Sequence, residues 1–183
     1  MRIANIIQRN KVILRPMREE NFEIMFKWLN DIEVMRYWYG RDKPRSLDWI
    51  RKHFTPSIKG QTNSTYWIIE SDSEPVGYVC NTAEKNDNGE FLGKVEVDIL
   101  IGDKSRWEKG IGSDALKAMI DYAFNIQKAE RVFLTPRVTN NRAIHVYEKV
   151  GFKKEGILRH FEKFEGKWVD NAIMSILRGE FKE

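Results

Sequence analysis

The segment Val95–Gly112, VEVDILIGDKSRWEKGIG, constrains this chain more than any other. It alternates as a strand through Ile101, crosses a short basic stretch and turns at two glycines. It then runs directly into SDALKAMIDYAFN, whose apolar spacing is that of an amphipathic helix. Gly110 and Gly112 flank Ile111 where that helix begins. Glycine lets backbone approach a ligand closely, and the first-turn N–H groups of a helix have no partner inside it. Together with the positive end of the helix dipole, these donors make an anion site suited to a pyrophosphate. Lys104, Arg106 and Lys109 add positive charge beside it.

The rest of the composition narrows the setting. A chain of 183 residues is long enough for one domain with a real core, so residues 1–183 are read as a single domain. No apolar run approaches the about 20 residues that a membrane span needs. The start, MRIANIIQRNKVILRP, meets charges too early for the apolar region of a signal peptide. The single cysteine, Cys80, follows the strand-like VGYV; it excludes an internal disulfide, fits a reducing cytoplasm and reads as a buried thiol. His53, His145 and His160 have no metal-ligand spacing, so no metal is expected. The net charge is +4, but basic residues are interspersed with acids rather than massed. That pattern suits a solvated surface with a site for an anionic cofactor, not a nucleic-acid partner.

Along the chain, Lys11–Arg15 reads as a strand and Glu19–Asn30 as a helix with Phe22, Met25, Phe26 and Leu29 on one face. An aromatic-rich loop, Ile32–Arg41, precedes a second helix, Leu47–Phe54, with Ser46 as N-cap. Thr65–Glu70 and Pro75–Cys80 form a hairpin, Asn86–Gly89 a turn, and Leu92–Ile101 a long strand. The helix Ile111–Phe124, the strand Arg131–Pro136 and the helix Asn140–Val150, closed by Gly151, follow. Phe152–Leu158 and Trp168–Leu177 end the chain as an antiparallel pair. The expected fold class is α+β, a mixed and mostly antiparallel sheet of about seven strands flanked by about four helices.

Three segments carry a family resemblance: Trp107-Glu108-Lys109-Gly110-Ile111-Gly112, the run Asn140-Asn141-Arg142-Ala143-Ile144-His145-Val146-Tyr147-Glu148-Lys149-Val150-Gly151-Phe152, and the opening Val12-Ile13-Leu14-Arg15-Pro16. Together they resemble the GNAT N-acetyltransferases over essentially the whole chain; the second matches that family's N-x-x-A-x-x-x-Y-E-K-x-G-F segment. Within the family, Phe26–Asp31 with Tyr39-Gly40-Arg41-Asp42-Lys43, and then Ile101-Gly102 with Trp107–Gly112, look like aminoglycoside 6'-N-acetyltransferases. The tail, Glu155–Arg159 and Glu165–Asp170, looks instead like spermidine and ribosomal-protein N-terminal acetyltransferases.

The resemblance implies a GNAT fold and acetyl transfer from acetyl-CoA to a primary amine of a small cationic acceptor. Aminoglycoside is the leading acceptor, and a polyamine or protein N-terminus the alternative. It implies a monomer or homodimer, with no nucleic acid or membrane partner. The cofactor would lie on Trp107, Glu108, Lys109, Gly110, Ile111, Gly112 and Ser113. Its pantetheine arm would pair with Ile99, Leu100 and Ile101 where the strand splays from its neighbour, the N–H of Leu100 or a near neighbour facing the thioester carbonyl. Asn140, Ala143 and Tyr147 would flank the arm, with Tyr147 protonating the departing thiolate.

The amine must come from the other side. In the long strand Lys94, Glu96, Asp98 and Leu100 share one face, while Val95, Val97, Ile99 and Ile101 share the core face. A primary amine is protonated at pH 7, so its site needs an acid that attracts the cation and accepts a proton. Asp98 is the first candidate, and it aligns with the catalytic aspartate of the aminoglycoside enzymes; Glu96 is the second. The competing reading is a strand carboxylate paired with Lys94. Trp28, Tyr37, Trp38 and Tyr39, with Trp49, concentrate aromatic surface suited to a cationic acceptor, with Asp31, Glu33 and Asp170 as a possible acidic rim.

Overall fold

A computed structural model describes residues 6–38 and 43–182. Eight strands form one sheet: β1 (Ile7–Gln8), β2 (Ile13–Pro16), β3 (Ser64–Ser71), β4 (Glu74–Lys85), β5 (Phe91–Ile101), β6 (Arg131–Leu134), β7 (Lys153–Phe164) and β8 (Lys167–Leu177), in the order β1-β2-β3-β4-β5-β6-β8-β7. Four helices accompany them: α1 (Phe22–Leu29), α2 (Leu47–Ile58), α3 (Ile111–Asn125) and α4 (Asn141–Val150). The strand beyond the seven expected is β1, two residues long, held by pairing Ile7 and Gln8 with Leu14 and Ile13. It is too short for any periodicity to reveal. None of the described helices is long and apolar enough to cross a membrane.

Both faces of the sheet are covered, which explains why Trp67, Ile68 and Ile69 of β3 are all fully buried in succession. On one side α3 packs Ala115, Leu116, Met119 and Ile120 against Val79, Val95, Val97 and Val132. On the other, Phe22, Met25 and Leu29 of α1 and Ile50 and Phe54 of α2 meet Ile68, Tyr78 and Leu100. The expected alternation in β5 holds: Val95 and Val97 are buried beneath α3, and Asp98 and Leu100 turn to the α1–α2 side.

All strand pairs are antiparallel except β5 with β6. β5 pairs with β4 from Val95 through Ile101, but with β6 only over Lys94–Glu96. β6 leaves because Pro136 follows it within two residues and cannot donate to a ladder. The chain there leans to β8: Ala172 N–H donates to the Pro136 carbonyl at 2.8 Å, and Asn171 Nδ2 to the Thr135 carbonyl at 2.8 Å. Val97–Ile101 is thereby left with one paired side and one open side.

Candidate active site

The open edge of β5 has a definite parity. Gly102 N–H donates to the Val76 carbonyl at 2.9 Å. Continuing the alternation back along the β4 ladder turns the backbone groups of Leu100 and Asp98 toward β4 and those of Ile99 and Ile101 toward the opening. The Ile101 carbonyl agrees, since it accepts from Trp107 Nε1 at 2.9 Å. The outward N–H groups are therefore those of Ile99 and Ile101, the near neighbours of Leu100, whose own backbone pairs with Tyr78.

Beyond β5 the chain rises through a short 3-10 turn, Lys104–Arg106, into α3. Gly110 is its N-cap with a left-handed backbone, φ 80°, which only glycine adopts freely. Asp114 N–H donates to the Gly110 carbonyl at 3.0 Å. The N–H groups of Ile111, Gly112 and Ser113 accordingly project from the helix end. A side chain on Gly112 would meet nothing nearer than Ile101 Cγ1 at 3.8 Å, so space lies open in front of these donors. Such a cradle fits a pyrophosphate.

Trp107 fastens this loop. Its indole bonds the end of β5, and the Arg142 guanidinium of α4 lies over its ring at 4.0 Å. Lys11 also reaches the loop, donating from Nζ to the Lys109 carbonyl at 2.9 Å. Two of the three expected cations are occupied elsewhere. Lys104 pairs with Asp31 at 2.8 Å and Glu33 at 3.1 Å, and Arg106 pairs with Asp72 and Asp103. Positive character at the turn therefore comes from the helix end together with the Lys11 ammonium.

A cavity of about 740 Å³ runs through the opening. It gathers Ile99, Leu100, Ile101, Trp107, Glu108, Gly110, Ile111, Gly112 and Ser113 on one wall and Asn140, Ala143 and Tyr147 on another. Tyr37, Trp38 and Asp98 close its far end. Asn140 caps α4, its Oδ1 accepting from Ala143 N–H at 3.3 Å, and Gly151 closes the helix with φ 116°.

Three expected site residues among those described fall elsewhere. Trp28 is buried under Gly102, so close that a methyl there would lie 2.1 Å from its ring; it is packing, not a cavity wall. Glu96 accepts from Thr135 Oγ1 at 3.4 Å, outside the cavity. Lys109 is exposed and likewise outside it. Tyr39 lies outside the described residues. The proposed acidic rim is spent as well: Asp31 and Glu33 share Lys104, and Asp170 Oδ1 accepts from His160 N–H at 2.8 Å.

Asp98 differs from these. Its expected cation, Lys94, pairs with Glu84 at 3.0 Å instead. The Asp98 side chain projects into the cavity, where solvent touches it, while protein atoms crowd it on most sides. That crowding, reinforced by the charge of Glu96, raises its carboxyl to about 6. Burial raises the Tyr147 hydroxyl too, with Asp98 contributing, so Tyr147 stays protonated; its ring rests edge-on against Phe152 at 5.9 Å. A base and an acid thus share one cavity.

Several wall residues carry no local sequence signal. Arg137 is 4% exposed, braced by Glu162 at 2.7 and 3.1 Å and by the Phe164 ring at 3.7 Å. A second hollow of about 340 Å³ opens behind Asp98, between the sheet and the α1–α2 layer, lined by Trp38, Trp49, His53, Tyr66, Tyr78 and Cys80 among others.

Comparison with known proteins places the fold in a family. The acetyltransferase (GNAT) domain model matches residues 11–153. An aminoglycoside N(6')-acetyltransferase type 1 of Klebsiella pneumoniae is 28% identical over 153 residues, covering 80% of this chain and 76% of that protein. A spermidine N(1)-acetyltransferase of Escherichia coli K12 is 26% identical over 172 residues, covering 94% and 89%. Among solved structures, an aminoglycoside acetyltransferase in complex with coenzyme A and kanamycin superimposes with a TM-score of 0.78 at 26% identity, over 92% of this chain and 96% of that one. With the family model spanning most of its length, this chain belongs to the GNAT acetyltransferase family, an N-acetyltransferase with acetyl-CoA as co-substrate.

Proposed function

We propose that this single-domain enzyme acetylates a primary amine of an aminoglycoside-type acceptor, the 6'-amine, with Asp98 as base and Tyr147 as acid. The observation that carries the reading is Asp98, a carboxylate with no cation partner among the described residues, at the end of the cavity where β5 parts from β6.

Bound acetyl-CoA supplies the acetyl group as a thioester. The Ile111–Ser113 N–H groups hold its pyrophosphate, and the open edge of β5 pairs with its arm. Asp98 attracts the incoming ammonium and takes its proton, directly or through water. At pH 7 a carboxyl titrating at about 6 is ionised, yet it is a stronger base than an ordinary aspartate. The freed nitrogen attacks the carbonyl carbon, the C–N bond forms and the C–S bond breaks. An N–H of Ile99 or Ile101 faces the carbonyl oxygen as charge develops there. The Tyr147 hydroxyl protonates the departing sulfur, and the second proton that the nitrogen sheds returns to the Tyr147 oxygen through water, while Asp98 releases the first to solvent.

A polyamine is the second reading, favoured by the longer match to the spermidine enzyme, which spans 94% of this chain. Acetyl-CoA consumption and thiol release against kanamycin, spermidine and an N-terminal peptide separate the readings. Turnover of kanamycin supports the first, while turnover confined to spermidine or peptide rejects it.

A further inference from the structure

With Lys104 and Arg106 held by acids elsewhere, the turn ahead of α3 brings little free charge of its own to an anion. The helix even carries an acid at that end. Asp114 lies in the first turn of α3, where its charge suits the helix dipole but opposes any anion drawn to the same N–H groups. The groups that meet Asp114 come from the far end of the sequence. The turn between β1 and β2 reaches across, so that Lys11 N–H donates to Asp114 Oδ2 at 2.7 Å and Arg9 Nε stands 3.4 Å from Asp114 Oδ1.

Lys11 does more than seat this turn. Its Nζ donates to the Lys109 carbonyl at 2.9 Å and lies 3.2 Å from where a Cβ on Gly110 would stand. Gly110 borders the main cavity and directly precedes the Ile111–Ser113 donors. An ammonium has three hydrogens to give, and the Lys109 carbonyl takes one. Among the described residues no carboxylate pairs with this ammonium, because Asp114 is met by the Lys11 backbone instead. An exposed cation with hydrogens to spare thus stands beside the N-cap of α3.

We propose that Lys11 is a cofactor-binding residue, its ammonium meeting the pyrophosphate of acetyl-CoA beside Gly110. The β1–β2 turn thereby completes the charge of an anion site that the α3 turn alone leaves partial. Backbone N–H groups orient a diphosphate but bring no net charge to it. An ammonium adds a charge-assisted hydrogen bond and an attraction that acts from a distance. The turn then has two separate duties. Arg9 and the Lys11 backbone answer the charge of Asp114, which frees the Lys11 side chain for the cofactor. This role does not depend on which amine is acetylated.

Calorimetric titration with coenzyme A tests this without turnover. Lys11→Met removes the charge and keeps the stem, and the bond to Asp114 persists because it comes from the backbone. The Kd of Lys11→Met for coenzyme A is expected to rise about fivefold to tenfold at about 50 mM salt. At about 0.5 M salt the difference from wild type should shrink below twofold, since salt screens an exposed charge. Lys11→Arg keeps the charge and is expected within twofold of wild type. 3'-Dephospho-coenzyme A retains the pyrophosphate, so Lys11→Met should weaken it by the same factor. An unmoved Kd in Lys11→Met overturns the assignment. So does a loss that salt leaves unchanged or that Lys11→Arg shares, either of which makes Lys11 a tether of the Lys109 carbonyl. A loss seen with coenzyme A and absent with its dephospho form places the ammonium at the 3'-phosphate and overturns the pyrophosphate contact.

Discussion

The two faces of the sheet are built from different materials. Under α3 the packing against the central strands is small and aliphatic, with Trp67 and Tyr122 meeting edge-on at 5.2 Å beside it: Ala115, Ala118 and Ala123 let the helix sit close on Val95, Val97 and Val132. Under α1 and α2 it is aromatic, and Trp38, Trp49, Phe54, Tyr66 and Tyr78 meet at edges and tilts around an open space. Aliphatic side chains interdigitate, whereas planar rings held edge to face leave gaps. The division follows the chemistry. On the reading proposed above, the cofactor side would work mainly through backbone, namely a helix end and an open strand edge. The acceptor side would work through side chains, where space and the Asp98 carboxylate decide what enters.

The sharpest way to break this contrast is Asp98→Asn. The amide keeps the shape and loses the base, so the acceptor kcat/KM should fall about 100- to 1,000-fold, roughly 2.7–4 kcal/mol of barrier. Acetyl-CoA affinity, read by calorimetry, should stay within twofold. The pH profile adds a sign. Burial raises the Asp98 carboxyl, so the base form is lost as pH falls through about 6. Wild-type activity should decline tenfold per pH unit below that value, and the variant's residual activity should lack this limb. A limb that survives in Asp98→Asn would assign the titration to another group.

Gly102→Ala tests the aromatic side as packing alone. The added methyl would lie 2.1–2.4 Å from three atoms of the Trp28 ring, which is hemmed in on the α1 side of the core. Overpacking of this kind costs about 2 kcal/mol, lowering Tm by roughly 4–8 °C in a chain of this length. An unchanged melting curve would mean that Trp28 is free to move and belongs with the cavity after all.

What the sequence made legible divides along the same line. The glycine turn, the Asn140 cap and the Gly151 stop are local chemistry, visible within a few residues, and each stands where its spacing implies. The acceptor side draws on α1, α2, β3, β4 and β5, so its composition depends on which residues the fold brings together. Periodicity places Trp28 and Trp38 alike near the first helix but cannot say that one lies under Gly102 and the other borders two cavities. Tyr66, Tyr78 and Cys80 sit in strands that read as ordinary core, and alternation gives their face without revealing that the face is hollow. In β5 the same alternation brings out Glu96 and Asp98 together on one face, and only the fold separates them, Glu96 beside Thr135 and Asp98 on the cavity.

Tyr147→Phe has a smaller effect, since only one hydroxyl is lost and water can substitute for it. The kcat should drop about tenfold to thirtyfold, less than the about 10²–10⁴-fold typical of a general acid because water takes over part of the role, and both KM values should hold. The ring remains against Phe152, so stability should not change. An equal loss in the acetyl-CoA KM would make Tyr147 a binding wall instead of a proton donor.

The finest probe is Arg142→Ala, which touches only the cofactor side. Arg142 is exposed, and its guanidinium lies over Trp107, whose indole in turn bonds the Ile101 carbonyl. An exposed cation–π contact is worth about 0.5–1 kcal/mol. Losing it loosens the loop ahead of α3 without removing any backbone donor, so the acetyl-CoA KM should rise about twofold to fivefold. The acceptor KM should change less than twofold, because neither Arg142 nor Trp107 lines the second hollow, although Trp107 packs against the α1–α2 cluster. Acceptor and cofactor constants that move together would mean that Trp107 couples the two faces across the end of β5.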